Sequence, residues 1–384
     1  TMATAFRDLF RLFVPVSGVK EKYGFAFLVH PRNRFDITRK YPLVRFLPKK
    51  LVDLFTRLLW PIVLSKIDGL KDLKTGIPIP GWVISVPLTA QQMTANRTLA
   101  LKRIIQSGRL AQNMGAKIVG LGALTSSFSR GGLDLVEHLD IGVTTGHAFT
   151  SYTITNYIDS VQQALGVDKH YLRIAIVGAS GSIGSTCAQI LVRNGYKNFI
   201  LIDVDRKINK LSKLKKQMKD TNSLAQIIIS SDLGKCKEAN FILTATNAPG
   251  TIVKNEHVLP GTIIFDDAQP SDISAEVIAR NDVLVLEAGV ISIPFIKNNF
   301  NFGLKLETDN FSCLGEIVIL AAQRWNGHYV LDRATLKKVE ETGKLGEQLG
   351  ISISRFQNRR ELIQESKINN VKELAVKRLN GFQS

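Results

Sequence analysis

Ile174–Gly184 reads IAIVGASGSIG, an apolar, β-branched run that closes on three glycines spaced three residues apart. The spacing predicts a strand ending at Val177, a tight turn at Gly178 and a helix opening at the last glycine. Gly178 makes the turn, Gly181 lets backbone amides approach a pyrophosphate, and Gly184 lets the helix pack on the sheet. Ser180, Ser182 and Ile183 complete the loop, and the N-terminus of the helix favours an anion beside it. Outward from this turn, Phe199–Ile202 is a second apolar strand with Asp203 at its end. That is about 20 residues after the turn, where a carboxylate binds a ribose 2′-hydroxyl and repels a 2′-phosphate. Asp203 favours NADH. Arg206 and Lys207 are able to hold the 2′-phosphate of NADPH if the loop turns them inward, so both cofactors stay open.

Further strands are expected at Gln226–Ile229, Phe241–Ala245, Thr262–Phe265 and Val283–Leu286. With Leu172–Val177 and Phe199–Ile202 they alternate with helical stretches, the pattern of an α/β, Rossmann-like, doubly wound parallel sheet. The loop Thr244–Gly250, TATNAPG, follows the fourth strand at the edge where ligands bind in such folds. Its Thr244 and Thr246 suit a nicotinamide ribose or an ordinary polar turn. Upstream, Trp82–Val86 and Lys117–Leu121 read as strands, and Thr89 with Gln92 forms a capping box opening a helix to about Met114. Phe149–Leu165 is a further helix, with Gly166 as its C-terminal cap. The expected organisation is a basic amphipathic region over 1–80, an α/β substrate domain over 81–166, an NAD(P)-binding Rossmann domain over 167–300 and a helical C-terminal region over 301–384.

At 384 residues and 45% apolar content, the chain is long enough for two or three buried cores. Its three cysteines, Cys187, Cys236 and Cys313, are far apart and form no CxxC or Cys/His cluster. This argues against a disulfide framework or structural zinc and for a reducing cytoplasm. The sequence holds no run of 18 uncharged apolar residues, and its start lacks the layout of a cleavable signal peptide. The net charge is +17, unevenly spread: residues 1–75 carry 15 Lys/Arg against 6 Asp/Glu, and Arg206–Lys219 holds seven basic residues. No nucleic-acid motif or aromatic stacking pattern accompanies them, which argues against a nucleic-acid partner. Anionic lipid headgroups at the inner face of a membrane, an acidic carrier protein, or basic faces that only keep the protein soluble all fit.

Leu43–Leu64, LVRFLPKKLVDLFTRLLWPIVL, has the pattern of an interfacial amphipathic helix with Leu51, Phe55, Leu58, Leu59 and Ile62 on one face. A helix packed on the domain's own core has the same pattern. Phe6–Phe13, FRDLFRLF, repeats the theme.

Downstream, Thr308–Trp325 reads TDNFSCLGEIVILAAQRW and puts Cys313 in the first turn of a helix, where the dipole favours a thiolate. Glu316 lies on the same face. On its own, such a cysteine is either a small core residue or a nucleophile. Several stretches together resemble the long-chain fatty acyl-(acyl-carrier-protein) reductases of cyanobacteria over roughly residues 80–330. These are Leu121–Ser126 (LGALTS), Thr144–Gly146 (TTG) with Thr150 and Tyr152, VGASGSIGS, and Phe311-x-Cys313-x-x-Glu316 with Trp325. The resemblance implies an NAD(P)H-dependent reductase in which Cys313 carries the acyl group as a thioester and a fatty aldehyde is released. It implies a long-chain acyl thioester as substrate, on acyl carrier protein or on coenzyme A. Where that family has Asn and His after its TTG, this chain has His147 and Phe149, so His147 becomes the candidate to stabilise the oxyanion, beside its alternative as a structural histidine. A shikimate- or amino-acid-dehydrogenase-like enzyme acting on a small polar substrate also fits the sequence, as does a membrane-held nucleotide sensor in which Cys313 is only structural.

Overall fold

The computed structural model describes residues 2–16, 23–248, 250–300, 302–358 and 361–380. The chain forms two compact units. One comprises Thr1–Phe149, Ile291–Arg333 and Glu341–Ser352; the other comprises Thr150–Val290, Ala334–Glu340 and Ile353–Ser384.

The first unit is built on a sheet of β1 (Gly24–Val29), β2 (Ile62–Asp68), β3 (Gly81–Ser85), β4 (Ala116–Leu121) and β5 (Gly142–Thr144). The order is β2-β3-β1-β4-β5, with Lys297–Asn298 pairing at the β2 edge. β1 is parallel to β3 and β4, β4 is parallel to β5, and β2 runs antiparallel to β3. β1 reads GFAFLV and is buried through its first five residues, the unbroken apolar run of a strand covered on both faces.

This corrects the expected boundary at residue 80. β1 and β2 precede it, yet they share a sheet with β3, and β1 is flanked by parallel partners on both sides. Six apolar residues show no period that separates a strand from a buried helical turn. The single helix expected within Leu43–Leu64 is also corrected. Pro42–Phe46 is a 3-10 turn, α3 is Lys49–Leu58, and the chain then turns extended, with Ile62 opening β2. Two helices precede α3, α1 (Met2–Arg11) and the shorter α2 (Arg34–Lys40). The capping box at Thr89 and Gln92 forms, but its helix is Ala90–Ala95. A second helix, Arg97–Asn113, restarts at Asn96, whose side chain caps it by accepting from Leu99 N at 2.9 Å.

The second unit has β6 (Arg173–Val177), β7 (Asn198–Ile202), β8 (Gln226–Ser230), β9 (Phe241–Thr244), β10 (Ile263–Asp266) and β11 (Leu284–Glu287). They lie in the order β11-β10-β9-β6-β7-β8, all parallel. This is the doubly wound Rossmann arrangement, whose order reverses between β6 and β9. Alternate residues feed two cores: Ile174 and Ile176 face one, Ala175 and Val177 the other. Burial on both faces is why the strands read as continuous apolar runs.

The division between units falls at 149–150, inside the helix His147–Leu165, rather than at 166. The region after 301 is shared between the units and carries three helices, Ser312–Ala322, Leu336–Gln348 and Glu365–Asn380. No helix among the described residues is long and apolar enough to cross a membrane.

Candidate functional site

The first unit holds the thiol. β1, β4 and β5 are parallel, so the segments after them gather at one edge of the sheet, where ligands bind in open α/β folds. After β1 comes His30, after β4 comes Gly122–Ser126, and after β5 come Thr145, Gly146 and His147. The helix Ser312–Ala322 packs against β4 and β1. A side chain at Gly120 of β4 would put its Cβ 2.9 Å from Ile317 Cβ, so glycine sets this close approach.

Cys313 sits in the first turn of that helix, partly exposed, while Leu314–Ala322 are buried. Gly146 lies directly on it. Its φ is +79°, and a Cβ there would come within 2.4 Å of Cys313 Cβ and 2.6 Å of Cys313 Cα. Glu316 fixes the contact from beneath. It is fully buried, and its carboxylate accepts from the Thr144 hydroxyl, from Gly146 N at 3.1 Å and from Phe149 N at 2.9 Å. Burial raises the Glu316 pKa, with these hydrogen bonds pulling against it. Glu316 thus clamps the Thr144–Phe149 turn to the helix carrying the thiol.

Both histidines at this edge are held neutral. Dehydration by burial pushes His147 down to about 4 and His30 likewise to about 4. A carbonyl only accepts, so His147 Nδ1–H donates to Asp332 O at 3.2 Å, leaving Nε2 to accept from Ser126 Oγ at 3.3 Å. By the same logic His30 Nδ1–H donates to Pro31 O at 3.1 Å and Nε2 accepts from Leu124 N at 3.3 Å. The two rings therefore hold the LGALTS segment, in which Ala123 takes a φ of +48° that alanine rarely adopts. In this state His147 has no proton to spare for an oxyanion.

Thr145 is the residue that motif reasoning missed. It is 1% exposed, and among the described residues nothing partners its hydroxyl. The TTG stretch entered the sequence reading only as part of a resemblance, and no local signal separates one threonine from the other. Trp325 lies at the far end of the thiol helix, where its carbonyl accepts from Tyr23 Oη at 2.7 Å.

The second unit holds the glycine turn. Gly178 has φ +83°, and a Cβ there would meet Ala245 O at 2.5 Å; a Cβ on Gly184 would meet Gly178 O at 2.5 Å. Gly181 is the N-cap of Ser182–Arg193 and leaves that end without a side-chain cap. Among the described residues, Ser182 Oγ is buried without a partner. A bare helix N-terminus, a crowded glycine cradle and an orphan hydroxyl fit a dinucleotide pyrophosphate. Ile183 packs on the core.

Asp203 anchors this turn, accepting from Ser180 N at 3.1 Å and Ser180 Oγ at 2.6 Å, while Lys207 Nζ lies 3.2 Å from its other oxygen. Burial works to raise its pKa, but the Ser180 and Val204 hydrogen bonds and the Lys207 charge hold it below the ordinary value. Arg206 stays exposed. The hydroxyls of Thr244 and Thr246 donate to carboxylates, at 2.8 Å to Asp266 and 2.6 Å to Asp272. These belong to a cluster that sequence reasoning passed over, Asp266, Asp267 and Asp272. Burial, with Asp266 nearby, pushes Asp272 up to about 7, and burial beside both neighbours raises Asp267 well above the ordinary range. Three aspartates within seven residues of a strand end was the available signal.

The Shikimate / quinate 5-dehydrogenase family matches residues 160–288, most of the second unit's sheet. The chain is 25% identical over 366 residues to the aminotransferase PigE of Serratia sp., covering 91% of this chain and 42% of PigE, so it spans less than half the length of that relative. It is 25% identical over 286 residues to the long-chain acyl-[acyl-carrier-protein] reductase of Synechococcus elongatus, covering 70% of this chain and 81% of the reductase. Shikimate 5-dehydrogenase of Listeria monocytogenes, solved with shikimate and NAD, is 11% identical over 85% of this chain and 97% of its own, with a TM-score of 0.35. The strand order, the glycine cradle and the family match together make the second unit a Rossmann-type domain of the kind that holds NADH or NADPH.

Glu316→Gln would set an amide NH₂ against at least one of the donors that Glu316 now accepts. Urea unfolding should show a loss of about 2 kcal/mol. Above pH 6.5 His30 is neutral folded and unfolded; below it the unfolded chain takes a proton that the folded ring refuses until about 4. Stability should therefore fall as pH drops from 6.5 to 4, by about 3 kcal/mol from this residue. The measurement is the difference in pH slope between the parent and His30→Gln.

Proposed function

We propose that the chain reduces a long-chain fatty acyl thioester to a fatty aldehyde with NAD(P)H, through an S-acyl intermediate on Cys313. The observation that carries this reading is the seating of Cys313: a partly exposed thiol at a helix start, pressed on Gly146 and fixed by a buried glutamate. A cysteine serving only as core filler needs no such clamp.

The Cys313 thiolate attacks the thioester carbonyl, its new C–S bond replaces the bond to the carrier, and the carrier leaves as a thiol after taking a proton. Gly178, Gly181, Ser182 and Gly184 would hold the pyrophosphate of a reduced nicotinamide dinucleotide, whose chemistry would be hydride transfer to the acyl carbon on Cys313. The Cys313–carbon bond then breaks and releases the aldehyde. Glu316 acts as a positioning residue. Thr145, with its uncommitted hydroxyl on the turn beside Cys313, is the donor for the oxyanion, a role that neutral His147 fills poorly. His147 instead orients the turn through Ser126 and Asp332. The carrier is acyl carrier protein or coenzyme A; the basic helix Ile208–Thr221 suits an acidic carrier.

The similarity to the Synechococcus reductase supports this reading. The shikimate/quinate family match supports a second, a dehydrogenase of a small polar acid that needs no cysteine. That match ends at 288, before Cys313. Incubation with labelled palmitoyl thioester separates them: a thiol-linked acyl-enzyme mapped to Cys313 supports the reductase, and NAD(P)-coupled oxidation of a hydroxy acid without labelling supports the dehydrogenase.

Cys313→Ser should abolish aldehyde formation while NAD(P)H titration stays near normal, because an unassisted serine hydroxyl is scarcely ionised at neutral pH. Retained reductase activity would exclude the covalent route. Asp203→Ala should shift the preference toward NADPH, since it removes the carboxylate that opposes a 2′-phosphate; the check is the ratio of kcat/KM for the two cofactors.

A further inference from the structure

The N-terminal part of the first unit is amphipathic in the wrong sense for a soluble surface. α3 turns only Val52 and Thr56 inward, with Thr56 Oγ1 3.1 Å from Gln92 Oε1, and leaves Leu54, Phe55 and Leu58 facing out. Phe6 and Phe10 do the same on α1, Phe35 on α2 and Phe46 on the 3-10 turn after it. Phe6, Phe10, Phe35, Phe46, Phe55 and Leu58 are each between 54% and 76% exposed. Single exposed apolar residues are ordinary, whereas a set of this size marks an interaction surface.

Two sets of contacts join these elements in pairs. Trp60, two residues beyond α3, donates from Nε1 to Ala5 O at 2.7 Å, and its ring meets that of Phe6 at 5.8 Å. The Arg34 guanidinium donates to the carbonyls of Val44, Arg45 and Leu47, joining α2 to the turn that carries Phe46.

Cations are interleaved with the rings. The sequence sets Phe6 beside Arg7, Phe10 beside Arg11, Phe35 beside Arg34 and Phe46 beside Arg45. Arg45 lies 4.6 Å above the Phe46 ring, and Lys49, Lys50 and Arg57 are exposed on α3. Asp8, the acid of α1, is buried, accepts from Val63 N at 3.0 Å, and pairs through its other oxygen with Arg7 at 3.1 Å and Arg11 at 3.6 Å.

We infer that this face, α1 to α3, docks on an anionic phospholipid membrane. Rings and cations side by side match the acyl carbons and phosphates of the same lipid layer. A second copy of the chain is disfavoured by charge. Residues 1–75 carry 15 basic against 6 acidic side chains, a net of +9, and a two-fold interface would set this surplus against itself. The inference stands on these residues alone and does not depend on the reaction at Cys313.

The test is flotation of the full chain with phosphatidylcholine vesicles, with and without roughly one-third phosphatidylglycerol. The expected result is binding to the anionic vesicles that is at least about tenfold weaker on neutral ones and is released by salt. The triple variant Phe35→Ser, Phe46→Ser, Phe55→Ser changes only exposed side chains; it should lose vesicle binding and keep its circular dichroism spectrum. Lys49→Glu with Lys50→Glu should lower anionic binding by about tenfold or more. Equal binding to neutral vesicles, or none to either, overturns the inference. So does a dimer, seen by light scattering, or a complex with purified acyl carrier protein that the phenylalanine substitutions abolish while vesicle binding persists.

Discussion

The carboxylate of Glu316 joins the thiol helix to Thr144, 172 residues away in sequence. The Thr144–Phe149 turn touches the thiol helix through Phe149, which packs on Gly315, but its Thr144–Gly146 end must be held as well, and its N–H groups at Gly146 and Phe149 face inward. A buried acceptor answers both needs, since orphaned buried donors are costly and a carboxylate accepts several at once. Thr144 extends the link by accepting from Val330 N at 3.2 Å while donating to Glu316. The thiol is therefore placed by a polar hub with apolar packing around it, and the packing keeps the hub dry.

The Rossmann half was legible almost in full because its signals are local. The six strands fall within one or two residues of their expected positions, from Arg173–Val177 to Leu284–Glu287, since each is a short apolar run between breakers. Glycines at 178 and 184 are demanded by backbone geometry, which sequence states directly. The first half was harder. β1 acquires its meaning only from β3 and β4, whose residues lie more than 50 positions downstream, and nothing in GFAFLV announces that it will be flanked on both sides. The break at Asn96 was concealed because asparagine is tolerated inside helices while also being a strong cap.

For the candidate site, the motif names Cys313 and the geometry seats it at a helix start beside Gly146, while motif and geometry part company over its neighbours. His147 stood out as the titratable group nearest the TTG in sequence. Its surroundings strip it of the charge that made it attractive, because the ring is dehydrated and its one proton is committed to a backbone carbonyl. Asp203 likewise has a second task that spacing could not reveal, since it braces the glycine turn through Ser180. In both cases the residue type suggested a chemistry and the hydrogen bonds assigned a scaffold duty. Thr145 is the converse, an ordinary residue type made conspicuous by what it fails to touch.

The contacts at Gly120 and Gly146 carry a consequence for how such a site can drift. The thiol helix meets its surroundings through positions where a hydrogen stands in place of a side chain, Gly120 against the Ile317 side chain and Gly146 against Cys313. Apolar residues away from these two contacts can exchange shape with less effect on where the sulfur lies. A single added methyl at either glycine has nowhere to go. The region is thus permissive to most variation and brittle at two points, and those two points carry no functional group of their own.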